Sequence, residues 1–443
     1  MAKITINANK TVGKVKPMHA VNNGPLGGTG HGRWDLMKEA GIPFARLHDT
    51  GGAYGGHVYV DIANVFRDFD ADPSDPSNYD FAFTDWLLKS LTENGAEPFY
   101  RLGSTIENAQ KIKPYNIYPP KDNLKWAKIC EGIIRHYTEG WGNGFNYKIT
   151  YWEIWNEPDN EPEIAENPMW KGTKEQFFEL YQVAASYLKE KFPHLKFGGY
   201  ASCGFYKIAN IAANPNANIS PRIEYFVEFF HDFLKYITDE KHKAPLDFFS
   251  WHSYSGVWAN QIYAEYARKT LDEYGFTDTE HFLNEWNPGI KRHGQLIDAT
   301  DIAANMLALH RTSVDMLMYY DWRLNHPYCG ALMPITQQPT KAFYVFKGFN
   351  ELYRLGSEVE SVIEGENLYC VAAKNDEYFA LMAVNATDKE RIVRYEIEGA
   401  SLKNAEVLLI DADNTYENQE IILTKDQIRL SAGATVLIKA KIV

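Results

Sequence analysis

Two short runs carry glutamates where chemistry could be done: Tyr151-Trp-Glu-Ile-Trp-Asn-Glu-Pro158 and His281-Phe-Leu-Asn-Glu-Trp-Asn-Pro288. In each, an apolar, aromatic-rich stretch of strand length ends in polar residues and then meets a proline, so the strand stops as its last side chains reach an opening. Glu157 and Glu285 thereby become two carboxylates at the ends of two buried strands. Cleavage of a glycosidic bond asks for such a pair: a proton for the departing oxygen, and negative charge facing the anomeric carbon of an oxocarbenium-like transition state. One carboxyl must stay protonated near neutral pH, which aromatic walls and an anionic neighbour favour through desolvation and repulsion. The other must stay ionised, held by donors such as Tyr254 and Arg46.

The elements that would position this pair can be read from periodicity. Short apolar stretches at 18–23, 44–49, 97–103, 151–156, 196–201, 247–254, 281–287 and 316–322 alternate with longer amphipathic ones, the pattern of repeated strand-helix units and a parallel sheet. Residues 123–140 space Leu124, Trp126, Ile129, Ile133, Ile134 and Tyr137 as one helix face and end in a glycine. Thr173-Lys-Glu-Gln176 is a capping-box pattern that opens a helix through Phe177, Leu180, Tyr181, Ala184 and Leu188. After about residue 350 the texture changes to alternating strands broken by polar turns, at 368–373, 378–385, 392–397, 406–410 and 434–442. The expected fold class is α/β: a (β/α)8 TIM barrel over 15–348, then a C-terminal antiparallel β-sandwich over 349–443. The alternating residues 3–7 suggest that an N-terminal strand within 1–14 joins the sandwich. No low-complexity linker separates the parts, so rigid docking is expected.

In such barrels chemistry sits at the carboxyl ends of the strands. Polar residues close the candidate strands there: Arg46 and His48, Asn156 and Glu157, His252 and Tyr254, Asn284 and Glu285, Asp321 and Trp322. Convergence from several strands on one rim fits a site better than loop capping. The two glutamates come from facing sides of the barrel, so their carboxyls could approach to ~5 Å, the separation for retention through a covalent intermediate; roughly 6.5 Å or more would admit a water and imply inversion.

Trp155-Asn-Glu-Pro158 resembles the acid/base motif of the retaining barrel glycosidases, and the wider pattern is most similar to glycoside hydrolase family 39, which includes β-xylosidases and α-L-iduronidases. The likeness runs through Arg46-x-His-Asp49, Pro119-Pro-Lys-Asp122 with Trp126, Pro193-His-Leu-Lys-Phe-Gly-Gly199, Asp247-Phe-Phe-Ser250 with His252 and Tyr254, and Asn284-Glu285. It spans about residues 18 to 350, and a trailing sandwich is usual in that family. The resemblance implies that Glu157 is the acid/base and Glu285 the nucleophile. It further implies that Asn156 bonds the hydroxyl next to the anomeric carbon, that His48 and His252 touch the sugar, and that Tyr254 orients the nucleophile. In the eighth strand the family usually has an aromatic platform, typically Trp, where this chain has Tyr320, followed by Trp322 and Arg323. That departure leaves the sugar open: Arg323 could pair with a uronate carboxylate, although an exposed loop arginine is the expected reading. Loops 291–293 and 325–328 could add a subsite. The activity implied is a retaining, exo-acting glycosidase for xylose-type β-glycosides. The alternatives are the same machinery on a uronic acid, galactose or arabinose, and a carbohydrate-binding barrel without hydrolysis.

Other signals are set aside. Glu153 lies two residues before Trp155 and four before Glu157, so it should face the same side but deeper, paired with Arg46 or Arg101 rather than acting as a third acid. Glu161 and Glu163 follow in a loop, solvated, with Glu161 a fallback acid. The glycine-rich stretch 24–32 lacks dinucleotide and Walker spacings and would turn the first barrel loop. Thirteen histidines include no His-Glu-x-x-His, so neither a metal nor another cofactor is expected.

Composition bounds the rest. The 443 residues, 45% hydrophobic, suffice for one large core and a smaller second one. A net charge of −13 argues against a nucleic-acid partner, which needs a basic face. No apolar stretch reaches the roughly 18 residues that cross a bilayer, and the start lacks a secretory apolar region. A cytoplasmic location is expected, or a secreted or periplasmic one if a signal peptide has been removed. Cys130, Cys203, Cys329 and Cys370 form no Cys-x-x-Cys pair, which fits buried reduced thiols. The 28 Tyr, 24 Phe and 11 Trp exceed what a core needs and suit a carbohydrate partner, with packing the competing use of each ring. Assembly into a homo-oligomer stays open.

Overall fold

The computed structural model describes residues 2–25, 32–48, 50, 60–105 and 117–442. Asp49 and most of the glycine-rich stretch, 26–31, lie outside the described residues. The chain opens with strand β1 (Ala2–Lys14). Eight parallel strands then close a barrel: β2 (Ala20–Asn22), β3 (Phe44–Leu47), β4 (Glu97–Leu102), β5 (Tyr151–Ile154), β6 (Lys196–Ser202), β7 (Phe248–Ser253), β8 (Glu280–Trp286) and β9 (Met316–Tyr319). Each falls within or across a stretch expected from periodicity. Thr173 caps its helix, Lys174–Lys191, with both bonds of the capping box present.

Alternation along the strands fills the barrel in layers. At the bottom, Ala20, Phe99, Tyr151, Phe248, Phe282, Met316 and Met318 form an apolar plug. Two residues further along their strands stand Asn22, Arg46, Arg101, Glu153, Ser250 and Asn284, all fully buried. This polar layer is affordable because its members bond one another. Glu153 takes Arg46 Nε at 2.7 Å, Ser250 Oγ at 2.6 Å and Asn284 Nδ2 at 2.5 Å. Arg101 pairs instead with Asp61, at 2.7 Å. Glu153 is thus the buried partner of Arg46 and not a third acid.

After the barrel, β10 (Ser357–Glu364), β11 (Leu368–Lys374), β12 (Tyr378–Asn385), β13 (Arg391–Glu398), β14 (Glu406–Ile410), β15 (Thr415–Asn418), β16 (Gln427–Leu430) and β17 (Thr435–Lys441) join β1 in one nine-stranded sheet. β1 lies between β10, antiparallel, and β13, parallel, so the sheet is mixed where an antiparallel one was expected. Ile4 and Ile6 of β1 enter the second core with Val359, Phe379, Leu381, Val407 and Ile438. The other face of β11 and β12, through Val371, Ala373 and Met382, shares the main core with Phe346 and Phe349 of the helix Lys341–Leu355. Apolar burial on both faces binds this sheet to the barrel. Seven of the 11 tryptophans are fully buried, so most of the aromatic excess packs the core. All four cysteines are buried and unpaired. Among the described residues no helix is long and apolar enough to cross a membrane.

Candidate active site

Above the polar layer the strands lose their alternation, and that loss aims the side chains. Trp155 and Glu157 adopt positive φ, 75° and 46°. Non-glycine residues seldom sit there, and clusters of such strain mark functional sites. The break turns Trp155 away from the barrel axis, into the helix layer against Trp126 and Trp170. Sequence alternation had placed Trp155 on the side of Glu153, and these dihedrals are why it is not there. Across the barrel a register shift falls between β7 and β8: Trp251 pairs with Leu283, but His252 pairs with Glu285. Such a bulge re-aims a side chain, so Asn284 bonds Glu153 in the polar layer while its neighbour Glu285 also reaches the opening.

The two glutamates meet around one imidazole. His252 Nδ1 lies 2.7 Å from Glu157 Oε1, and its Nε2 lies 3.6 Å from Glu285 Oε2. One ligand-capable atom from each of the three residues falls within 4.8 Å of the others. Asn160 Nδ2 donates to Glu157 Oε2 at 2.7 Å. Tyr254 donates its hydroxyl to Glu285 Oε1 at 2.5 Å, and Arg46 Nη1 stands 3.3 Å from Glu285 Oε2. Arg46 spans the whole floor: Nη2 donates to Asn156 Oδ1 at 2.6 Å and Nη1 to Asn22 Oδ1 at 3.1 Å. Among the described residues the buried Asn156 Nδ2 has no partner, a donor held ready for a ligand.

Protonation follows from this packing. Burial alone would lower the His252 pKa, but the Glu285 charge and the Glu157 hydrogen bond raise it above the usual histidine value. Burial works to raise Glu157, yet the His252 and Asn160 hydrogen bonds outweigh it and leave the carboxyl below its ordinary value. Glu285 is raised by burial and by the Glu157 charge, against His252, Arg46 and Tyr254. Of the two carboxyls, Glu285 is thus the one pushed up and Glu157 the one pushed down, opposite to the sequence expectation of a raised acid beside an ionised carboxylate held by Tyr254 and Arg46. His48 is pushed well below the usual value by burial and then by the Arg46 and Arg101 charges, so it stays neutral.

The remaining expected residues are placed less uniformly. Tyr320 is 2% exposed, accepts a hydrogen bond from Arg323 Nη2 at 2.8 Å, and stands edge-on to Tyr328. Tyr328 in turn lies 5.7 Å from the Tyr254 ring, which joins loop 325–328 to the rim. Arg323 is no exposed loop arginine: it is 5% exposed and bonds Asp321 at 2.5 Å. Trp322 is fully buried against Phe343 and Phe346, a packing position away from the glutamates. Glu161 pairs with Arg222 outside the barrel. Asn22 and Asn160 were not singled out from the sequence. Counting inward by twos from Ala20 would have found Asn22, whereas nothing local marks Asn160.

Glu157, His252 and Glu285 are, among the described residues, the one histidine-carboxylate group compact enough to hold a cation. Its atoms are already engaged with one another and with Tyr254 and Asn160, which is the arrangement of a proton-sharing set.

Comparison with known proteins agrees with this construction. The chain is 24% identical over 425 residues to a β-xylosidase of Caldicellulosiruptor saccharolyticus, covering 86% of this chain and 78% of that one. It is 26% identical over 225 residues to a β-xylosidase of Geobacillus stearothermophilus, covering 49% and 39%. A glucosidase from Croceicoccus marinus superposes with a TM-score of 0.76 at 21% identity, over 100% of this chain and 99% of that one, which supports the fold. The sequence model of the glycosyl hydrolases family 39 matches residues 2–317. With that match over most of its length and two carboxylates converging at the barrel mouth, the chain belongs to glycosyl hydrolase family 39 and is a glycosidase.

Proposed function

We propose that the chain is a retaining, exo-acting glycosidase for neutral, xylose-type β-glycosides, with Glu285 as nucleophile and Glu157 as acid/base. The observation that carries this is the approach of the two carboxylates, whose nearest ligand atoms lie within 4.8 Å, since retention goes with about 5–5.5 Å and a water-mediated inversion with roughly 6.5–9.5 Å. Glu285 attacks the anomeric carbon as the bond to the leaving oxygen breaks, and Glu157 delivers its proton to that oxygen. In the second half a water, deprotonated by Glu157, displaces Glu285.

The hydrogen bond between His252 and Glu157 gives the acid a neighbour with which to exchange a proton. Passing a proton along the 2.7 Å hydrogen bond from His252 Nδ1 to Glu157 Oε1 arms the acid; the transfer removes the Glu157 charge that raises Glu285 and also the His252 charge that lowers it. Tyr254 and Arg46 are the donors that remain to hold Glu285 ionised for attack. Asn156 Nδ2 is suited to the sugar's 2-hydroxyl, a contact that strengthens in the transition state. His48, neutral, can donate or accept to a neighbouring hydroxyl.

Charge balance favours a neutral sugar. At the barrel mouth each described arginine is matched by a buried carboxylate: Arg46 by Glu153, Arg101 by Asp61, Arg323 by Asp321. A uronate would add an anion beside Glu157 and Glu285 with no unmatched cation among the described residues to meet it. The names of the curated relatives support xylose. The test is proton NMR during hydrolysis of an aryl β-xyloside: the β-anomer of xylose appears first, and α-xylose first would overturn retention. Aryl β-glucuronides should stand untouched in the same assay.

A further inference from the structure

Glu157 is held from a second side, outside the barrel. Asn160 follows it in the turn after β5 and is 7% exposed. Its Nδ2 donates to Glu157 Oε2, and its backbone N–H donates to the Glu157 carbonyl at 3.1 Å. The Asn160 amide is fixed in its turn by Arg222, which donates Nη2 to Oδ1 at 2.8 Å and Nε to the carbonyl oxygen at 2.7 Å. A flipped amide would set its NH2 against the guanidinium, donor to donor, so Nδ2 must face Glu157. Arg222 opens the helix Pro221–Thr238, lies over the Phe226 ring and is anchored by Glu161 at 2.8 Å.

We propose that Arg222 and Asn160 form a positioning relay that holds Glu157 in the form and orientation of a general base for the second half of the reaction. This rests on the reading of Glu157 as the acid/base. In that step the water oxygen bonds the anomeric carbon, the bond from that carbon to Glu285 breaks with its electron pair returning to the carboxylate, and the water's proton passes to Glu157. A donor on Oε2 favours the carboxylate over the acid. The other groups facing Glu157 are His252 on β7, Glu285 on β8, Arg46 on β3, Asp159 in its own turn, and the neutral Cys203, Tyr206 and Tyr254. Of these His252 alone bonds it, so Asn160 is one of the two side-chain partners of the Glu157 carboxylate among the described residues.

The experiment compares Asn160→Ala, Arg222→Ala, Arg222→Lys and the double alanine variant on two β-xylosides. With the 2,4-dinitrophenyl glycoside, whose first step needs no acid, Asn160→Ala should lower kcat about tenfold and KM with it, leaving kcat/KM in place. With the phenyl glycoside, the alkaline limb of kcat/KM should move up by about one pH unit. Arg222→Ala should act in the same directions, Arg222→Lys should restore most of the loss, and the double variant should be no worse than Asn160→Ala, because Arg222 acts through Asn160. An unmoved limb with unchanged kcat in Asn160→Ala, or losses that multiply in the double variant, overturns the relay. Azide rescue of Glu157→Ala separates the two readings. Rescue beside an unmoved Asn160→Ala sinks the relay alone, and absent rescue removes the acid/base role beneath it.

Discussion

Replacing Arg46 by methionine tests the floor on which the site stands. Methionine keeps much of the stem and removes the guanidinium, which is fully buried and serves Glu153 at 2.7 Å, Asn156 at 2.6 Å, Asn22 at 3.1 Å and Glu285 at 3.3 Å. Glu153, fully buried itself, keeps Ser250 and Asn284 but loses its one cation. Breaking a buried pair from one side costs about 3–5 kcal/mol, because the charge left behind can no longer be solvated. That is a large share of the roughly 5–15 kcal/mol that stabilises a typical fold. The assay is urea unfolding at pH 7 followed by tryptophan fluorescence, apt because most of the tryptophans lie in the core. Adding Glu153→Gln neutralises the stranded carboxylate and should recover more than half of the loss, while hydrolysis stays impaired because Glu285 and Asn156 have still lost their donor. A single-variant loss under about 1 kcal/mol, or a double variant no more stable than the single, would refute the reasoning.

Three further outcomes follow from the same geometry. Tyr254→Phe removes the 2.5 Å donor from Glu285, whose carboxyl burial already raises, so the acidic limb of kcat/KM should move up by about one pH unit; an unmoved limb contradicts it. Asp298 is buried with neither carboxyl oxygen bonded among the described residues, and burial followed by the Asp301 charge pushes it up to about 7. The folded chain then keeps a proton that the unfolded chain releases near pH 4, so this group lowers stability as pH rises from about 4 to 7. Asp298→Asn should therefore be more stable above pH 7 by about 1–3 kcal/mol and flatten that decline, and a less stable variant at pH 8 would contradict the sign. Dialysis against a chelator should leave turnover of aryl β-xylosides unchanged, because the Glu157, His252 and Glu285 group works by sharing a proton; loss restored by a divalent cation would overturn this.

What the sequence revealed was whatever periodicity of two could carry. Ala20, Phe44, Phe99, Tyr151, Phe248 and Phe282 line the barrel floor, and the polar residue two places beyond each marks the next layer, so the strands and the inward side of Glu153 were legible. Legibility ended where the backbone leaves extended geometry. Positive φ at Trp155 sends that ring outward, and the bulge beside Asn284 brings Glu285 inward beside it. Neither leaves a residue signature that one chain displays. His252 read as a sugar contact, because its place between two glutamates depends on partners 95 residues before it and 33 after it. Asn160 and Arg222 meet across 62 residues, with no motif to announce them. In the second sheet, β1 enters between β10 and β13, a pairing that no local alternation specifies. β10 follows the helix Lys341–Leu355 so closely that its alternation blends into the helix's end. Trp322 was expected at the rim as the polar-edged end of the eighth strand, and packing against Phe346 took its ring.

The central claim is that Glu285 attacks the sugar while Glu157 faces it. Incubation with 2,4-dinitrophenyl 2-deoxy-2-fluoro-β-xyloside, followed by intact mass and peptide mapping, tests this directly. The account predicts one stable 2-fluoroxylosyl adduct, carried on Glu285, that forms in the wild-type chain and not in Glu285→Ala. An adduct on another residue, or turnover retained by Glu285→Ala, would contradict it.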